Sequence, residues 1–291
     1  MTNKCLTLAL HGGAGAIPER NYDAEVVHMR GLVEAARDRL RAGASALDVA
    51  VETVAALEAS GLYVAGRGAS PNSAGRYELD ASLMDGPTRR AGAVAALEGF
   101  KSPIAAARAV METTPHVMLA GDGAAALARE AGLEEIGDPE AWFTRAARRP
   151  GGTPAGLSHG TVGCVARDGE GRLAAATSTG GVFNKRLGRV GDTPIPGAGT
   201  WADDTVAVSC TGLGEYFIRT TAAAQVSFRM RLAGQDLAAA AQATLDDIRS
   251  LGGDGGLIAV AADGTIVTPW NSKGMKRATL TADGEIRSEV F

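Results

Sequence analysis

Apolar positions along this chain recur with two spacings, and these define the elements the sequence predicts. A short run over 6–10 has the length of a buried strand and ends in His11-Gly12-Gly13-Ala14-Gly15. Val26, Val27, Met29, Leu32, Val33, Ala36 and Leu40 then fall at helical spacing. A second helix is expected from Ser45, whose hydroxyl can cap the turn holding Asp48. Its apolar positions are Leu47, Val49, Val51, Val54 and Leu57. A glycine-rich loop at Gly66-Arg67-Gly68 leads to strands over 77–84 and 92–97. Ser102-Pro103 reads as a helix start, with proline at the first helical position; that helix runs to about residue 111. Another covers roughly 124–131.

From about 137 to 158 the periodicity fails. Asp138-Pro139, Arg149-Pro150-Gly151-Gly152 and Thr153-Pro154 punctuate the stretch, which reads as a flexible linker. Strands over 161–167, 173–179 and 206–211 follow, then alanine-rich helices over 215–232 and 237–251. Two last strands are expected over 256–262 and 265–269. Strands grouped as hairpins and helices grouped in pairs predict an α+β fold, with antiparallel sheets between helix layers rather than strict βαβ alternation.

Composition narrows the possibilities. The chain has 291 residues, 45% hydrophobic and 21% charged, with net charge −4. That is ordinary for a globular protein able to bury a large core. With no basic stripe, nucleic acid is not an expected partner. No run approaches the roughly 18 apolar residues of a membrane span, and the N-terminal run is too short for a secretory leader. The cysteines Cys5, Cys164 and Cys210 are few and scattered, so neither a disulfide framework nor a zinc site is expected. A cytoplasmic location fits.

Candidate chemistry centres on threonine. Asp168-Gly169-Glu170-Gly171 is a strong hairpin turn. Pairing the flanking strands about it sets Thr161 opposite residue 178 or 179, which allows the Thr161 and Thr179 hydroxyls to meet at one edge. A third strand ends at Thr211-Gly212. Threonine is a favoured strand residue and is usually structural there. Two features set Thr161 apart: it directly follows the linker, and it opens a strand at His159-Gly160-Thr161, where a cut would free a new amine. Threonine is a poor nucleophile without a base, and an N-terminal amine on the same residue supplies one, with a reference pKa of about 7.7–8.0. The expected activation is an N-to-O acyl shift at the Gly160–Thr161 bond, helped by the conformational freedom of Gly160.

At these residues the sequence resembles the plant-type (type 2) asparaginase/isoaspartyl peptidase family of N-terminal nucleophile hydrolases. The motifs are L-H-G-G-A-G near the start, E-L-D-A-S-L-M-D-G at 78–86, G-T-V-G at 160–163 and A-T-S-T-G-G at 176–181. N-K-x-x-G-R-V-G-D-T-P at 184–194, S-C-T-G-x-G-E at 209–215 and G-G-L-I-A at 255–259 complete the set. The resemblance implies a four-layer αββα sandwich cut into an α chain (1–160) and a β chain (161–291), together one domain. It implies a homo-assembly of two αβ units, no organic cofactor, and hydrolysis of β-aspartyl amides such as L-asparagine or isoaspartyl dipeptides through a covalent β-aspartyl-enzyme. Thr161 would be the nucleophile and Thr179 its assisting hydroxyl. Thr211 and the Gly212 N–H would form the oxyanion hole. Arg189 and Asp192 would hold the substrate's α-carboxylate and α-ammonium, and Gly214 would line the same pocket. Backbone carbonyls of Leu57, Glu58, Ser60, Tyr63, Ala65 and Arg67 would hold a structural sodium ion. Val64 departs from the family's usual asparagine, and Ala69-Ser70-Pro71-Asn72-Ser73 is also atypical.

Several other readings compete. A glycosylasparaginase shares the chemistry but usually has aspartate before the nucleophile, where this chain has Gly160. A taspase-like endopeptidase would be expected to carry a basic nuclear-targeting run. A nucleotide-binding loop at Gly12–Gly15 fails the G-x-G-x-x-G spacing. A silent, uncut relative would keep a single chain.

Overall fold

A computed structural model describes residues 5–145 and 160–291. In chain order the elements are β1 (Thr7–His11), α1 (Asp23–Arg41), α2 (Ala46–Ser60), β2 (Leu79–Asp85), β3 (Ala91–Leu97), α3 (Pro103–Thr113), β4 (Met118–Ala120), α4 (Gly121–Glu130) and α5 (Pro139–Trp142). Then come β5 (Val162–Arg167), β6 (Leu173–Thr179), β7 (Thr200–Ala202), β8 (Val206–Gly212), α6 (Gly214–Thr220), α7 (Ala222–Ala233), α8 (Leu237–Ser250), β9 (Gly255–Ala261), β10 (Ile266–Val267), β11 (Arg277–Leu280) and β12 (Ile286–Glu289). The fold is α+β. Eight strands form one sheet in the order β12-β11-β1-β5-β6-β2-β3-β4, and four form another in the order β10-β9-β8-β7. Among the described residues no helix is long and apolar enough to cross a membrane.

The period-2 alternation of side chains along a strand sorts the sequence into three cores. On β1, Leu8 and Leu10 face α1 and α2, while Ala9 faces the other sheet. On β5, Val162, Cys164 and Ala166 take the helix side and Val165 the inter-sheet side. β6 repeats this with Ala174 and Ala176 against Leu173 and Ala175. On β8, Val206, Val208 and Cys210 pack on α6–α8, and Ala207 turns inward with Ile258 and Val260 of β9. One apolar core thus lies under α1–α4, a second under α6–α8, and a third between the sheets.

Local signals act as expected at several ends. Ser45 Oγ accepts the Asp48 N–H at 3.1 Å and caps α2, and Ser102 caps α3 through the Ala105 N–H. The β5–β6 hairpin pairs Val162 with Ser178 and Arg167 with Leu173.

Other expectations are corrected. The helix over 215–232 is two helices, because Thr221 adopts φ 47° and breaks the run. Val27 is 71% exposed rather than core. The last strand of the second sheet shrinks to Ile266–Val267. β4, β7, β11 and β12 were not expected, and β4 pairs with β3 in parallel, so the large sheet is not wholly antiparallel. The start of the expected linker is built into the fold. Pro139–Trp142 is helical, and Phe143 stacks on Tyr77 with ring centroids 3.8 Å apart. The rest of that linker lies outside the described residues, as does any account of residues 146–159 as a boundary between chains.

Candidate functional site

The alternation that puts Ala9, Val165 and Ala175 between the sheets also determines where the polar ends of those strands point. His11 lies two residues beyond Ala9. Gly163 and Thr161 continue the Val165 face, Thr177 and Thr179 the Ala175 face, and Ser209 and Thr211 the Ala207 face. Ser82 shares its face with Met84. Seven of these eight residues carry polar side chains, all buried, collected at one end of an otherwise apolar inter-sheet core.

At that end the hairpin register, continued one step, sets Thr161 across from Thr179. The Thr161 hydroxyl donates to Thr179 Oγ1 at 3.1 Å. Thr179 Oγ1 also accepts the Gly181 N–H at 3.0 Å, which orients it. Both threonines are buried. The Thr161 carbonyl is 3.1 Å from His11 Nδ1.

The turn after β1 closes over the Gly160–Thr161 bond. A Cβ on Gly13, whose φ is 97°, would lie 2.6 Å from Gly160 Cα. A Cβ on Gly160 would lie 2.8 Å from Val64 Cγ2. Residue 160 therefore sits between Gly13 and Val64 with no room for a side chain. The same turn reaches Thr211: the Ala14 N–H donates to Thr211 Oγ1 at 3.3 Å, leaving the Thr211 proton for another acceptor. Gly212 pairs with Gly255 of β9, and a Cβ there would lie 2.4 Å from the Asp254 carbonyl oxygen.

Arg189 and Asp192 occupy the loop between β6 and β7. Arg189 forks onto Glu215, with Nε and Nη2 each 2.9 Å from a carboxylate oxygen. The ion-pair partner of Arg189 is thus Glu215. A guanidinium has five N–H donors, so the Nη1–Nη2 edge remains for a second carboxylate. Asp192 is 4% exposed, and its Oδ2 has no hydrogen-bond partner. Burial pushes its carboxyl up to about 7, against the opposing pull of its own backbone N–H and of Arg189. Gly214 makes this burial possible, since a Cβ there would lie 2.7 Å from Asp192 Oδ1.

The segment expected to hold a cation begins in the last turn of α2, where helix carbonyls lack intrahelical partners. The Leu57 carbonyl accepts the Ser60 hydroxyl at 2.8 Å, the Ala65 carbonyl the Gly68 N–H at 3.0 Å, and the Arg67 carbonyl the Thr144 N–H at 2.9 Å. The Glu58 carboxylate turns away to Ser102 and Ile104, and burial raises it to about 7. The Tyr63 ring packs beneath Gly12, which ties this segment to the turn over residue 160. In the atypical segment, Asn72 is a buried organiser: its amide donates to Glu78 and its carbonyl accepts from Ala74 and Arg76. Among the described residues no group of three or more His, Cys, Asp or Glu side chains is arranged to hold a metal ion. A cleft of about 350 Å³ lined by Arg76, Glu78, Glu98, Asp122 and Gly188 lies beyond Glu78, and Thr161 does not line it.

Sequence reasoning missed His11, Ser209 and Glu215 as parts of this neighbourhood. The motifs containing them were visible. Their partners lie on strands distant in sequence.

Comparison with known proteins gives a consistent picture. A family model described as asparaginase matches residues 4–150 and 146–289. An isoaspartyl peptidase of Salmonella typhimurium is 46% identical over 295 residues, covering 93% of this chain and 94% of the relative. An isoaspartyl peptidase of Escherichia coli is 44% identical, covering 93% and 91%. A plant-type L-asparaginase of Pyrobaculum calidifontis is 42% identical, covering 98% and 99%.

Proposed function

Because the chain belongs to the asparaginase family matched by that model, we propose that it hydrolyses β-aspartyl amides, L-asparagine and isoaspartyl dipeptides, with Thr161 as nucleophile after self-cleavage at Gly160–Thr161. The observation that carries this reading is the Thr161–Thr179 hydroxyl pair beside a residue 160 enclosed on both sides. In the precursor the nitrogen of residue 161 is an amide. The Thr161 hydroxyl attacks the Gly160 carbonyl, the acyl group moves from nitrogen to oxygen, and water releases it. The freed amine then serves as base for its own hydroxyl.

In turnover, Thr161 Oγ1 attacks the β-carbonyl and the amine leaves with a proton. A β-aspartyl ester forms, and water hydrolyses it to aspartate. Thr179 donates to the Thr161 oxygen as the amine removes the proton. The Thr211 hydroxyl and the Gly212 N–H stabilise the developing oxyanion, and one such donor is typically worth about 3–4 kcal/mol. The open edge of Arg189 takes the substrate's α-carboxylate. The unpartnered Asp192 oxygen takes the α-ammonium, with Gly214 leaving it room. The three apolar cores support a four-layer αββα stack. The free carbonyl lone pairs at the end of α2, with those of Tyr63, Ala65 and Arg67, suit a structural sodium ion, and a pair of αβ units is the expected assembly.

The test is intact-mass and N-terminal analysis of the purified protein, followed by ammonia release from asparagine and leucine release from β-aspartyl-leucine. The expected result is a chain beginning Thr-Val-Gly-Cys and turnover of both substrates. A Thr161→Ala protein should stay single-chain and inactive. Efficient turnover by that variant would refute the assignment.

A further inference from the structure

Five side chains link the backbone of Thr161 to the loop that carries Asp192. His11 Nδ1 is 3.1 Å from the Thr161 carbonyl oxygen, and His11 Nε2 is 2.9 Å from Ser209 Oγ. Ser209 Oγ is 2.7 Å from Thr177 Oγ1, and the Thr200 hydroxyl donates to Thr177 Oγ1 at 2.6 Å. The Ser82 hydroxyl is shared between Thr200 Oγ1 at 2.8 Å and the Thr193 carbonyl at 2.6 Å. All five residues are buried, with relative exposure of 0%. Their strands are β1, β8, β6, β7 and β2, so the chain crosses from one sheet to the other at every step. Gly163 leaves the space for it: a Cβ there would lie 2.0 Å from Ser209 Oγ and 2.5 Å from His11 Nε2.

The proton order follows from the Thr161 end. A carbonyl oxygen only accepts, so the His11 proton must sit on Nδ1. His11 Nε2 then accepts from Ser209, Ser209 accepts from Thr177, Thr177 from Thr200, and Thr200 from Ser82. The Ser209, Thr177 and Thr200 hydroxyls thus point toward Thr161, an arrangement in which successive bonds polarise one another, while the single Ser82 proton is shared between Thr200 Oγ1 and the Thr193 carbonyl. The opposite tautomer would set a nitrogen lone pair against the Thr161 carbonyl. Burial, reinforced by the nearby Lys276 cation, holds the imidazole neutral, with its pKa lowered to about 3.

We propose that the His11–Ser209–Thr177–Thr200–Ser82 chain positions the nucleophile, fixing the Thr161 backbone relative to the Asp192–Thr193 loop by a single tautomer and by one direction of the three central hydroxyls. The proposal rests on reading Thr161 as the nucleophile. Cutting at residue 160 removes the covalent tether on one side of Thr161. The His11 bond to its carbonyl is then a hold that the strand pairing of β5 does not itself supply. Because the far end of the chain is the Thr193 carbonyl, the same bonds set the distance between the attacking oxygen and the ammonium site.

The test combines spectroscopy with an isosteric pair. Nitrogen NMR of uniformly labelled wild-type enzyme should show His11 as a neutral imidazole with its proton on Nδ1, assigned among the four histidines by loss of the signal in His11→Gln. Thr177→Val keeps the shape and removes the hydroxyl; kcat should fall on the order of tenfold to a hundredfold, the usual effect of slight misplacement, with KM little changed. Thr177→Ser restores the hydroxyl and should restore kcat. Wild-type intact mass is read first: no chain beginning at Thr161 would overturn the nucleophile assignment itself. In a correctly cut enzyme, a proton on His11 Nε2, or an unchanged kcat in folded Thr177→Val, would overturn the positioning chain alone. If Thr177→Val does not fold, the wild-type tautomer decides.

Discussion

Val64 lies directly against Gly160, so that a Cβ built on residue 160 would fall 2.8 Å from Val64 Cγ2 and 3.0 Å from Val64 Cβ. A branched apolar side chain here leaves residue 160 room for glycine alone. Gly160→Ala is therefore expected to slow self-cleavage strongly. Adding Val64→Gly should recover part of the rate, because it removes the two nearest contacts, Val64 Cγ2 and Cβ. Densitometry of the two fragments over time checks this, and equal rates for Gly160→Ala with and without Val64→Gly would separate the two residues.

Arg189 presents one guanidinium edge to Glu215 and keeps the other for a carboxylate. Lysine offers a point charge in place of two parallel N–H donors. Arg189→Lys should raise KM for asparagine at least about tenfold, the loss of roughly one charge-assisted hydrogen bond. Steady-state kinetics with an unchanged KM would put Arg189 outside the pocket.

Asp192 titrates near pH 7 in the free protein because burial disfavours its charge. Above that pH the carboxylate can hold an ammonium, and below it the neutral acid cannot. Inhibition by L-aspartate should therefore weaken by about tenfold per unit as pH falls below 7. Asp192→Asn should bind aspartate weakly at every pH. A wild-type Ki independent of pH between 5 and 8 would contradict this role.

Glu58 is raised to about 7 by the same cause. A carboxyl with a raised folded-state pKa binds its proton more tightly folded than unfolded. The stabilisation is complete below the unfolded pKa of about 4.3, is lost as pH rises through 7, and is flat beyond. Melting temperature should decline from pH 5 to 8, and Glu58→Gln should make that decline shallower. Scanning calorimetry showing parallel curves would assign the slope to other groups.

How much of this was legible in the chain depended on the range of each signal. The cap at Ser45, the helix start at Ser102-Pro103 and the turn at Asp168–Gly171 are local, and each forms as expected. The hairpin arithmetic narrowed the partner of Thr161 to residue 178 or 179, and the strand register selects Thr179. β11 and β12 escaped because four-residue runs such as Arg277–Leu280 carry no distinct period; they exist because β1 supplies a pairing edge some 270 residues away in sequence. The break at Thr221 has no glycine or proline to announce it. At the site, Arg189 and Asp192 were recognisable by type. Glu215 and the His11–Ser209 contact required knowing that the second sheet lies over β1 and β5.

The strand order of the large sheet has a consequence for any scission at residue 160. β12 and β11 come from the later segment, β1 from the earlier, β5 and β6 from the later again, and β2, β3 and β4 from the earlier. The two fragments would interleave like the fingers of clasped hands, joined along three separate seams of backbone hydrogen bonds. Neither could leave without dismantling the sheet. Dilution or gel filtration should never part them, and fragments separated in denaturant would each lack half the partners needed to rebuild it. Such an arrangement demands that folding come first and scission second.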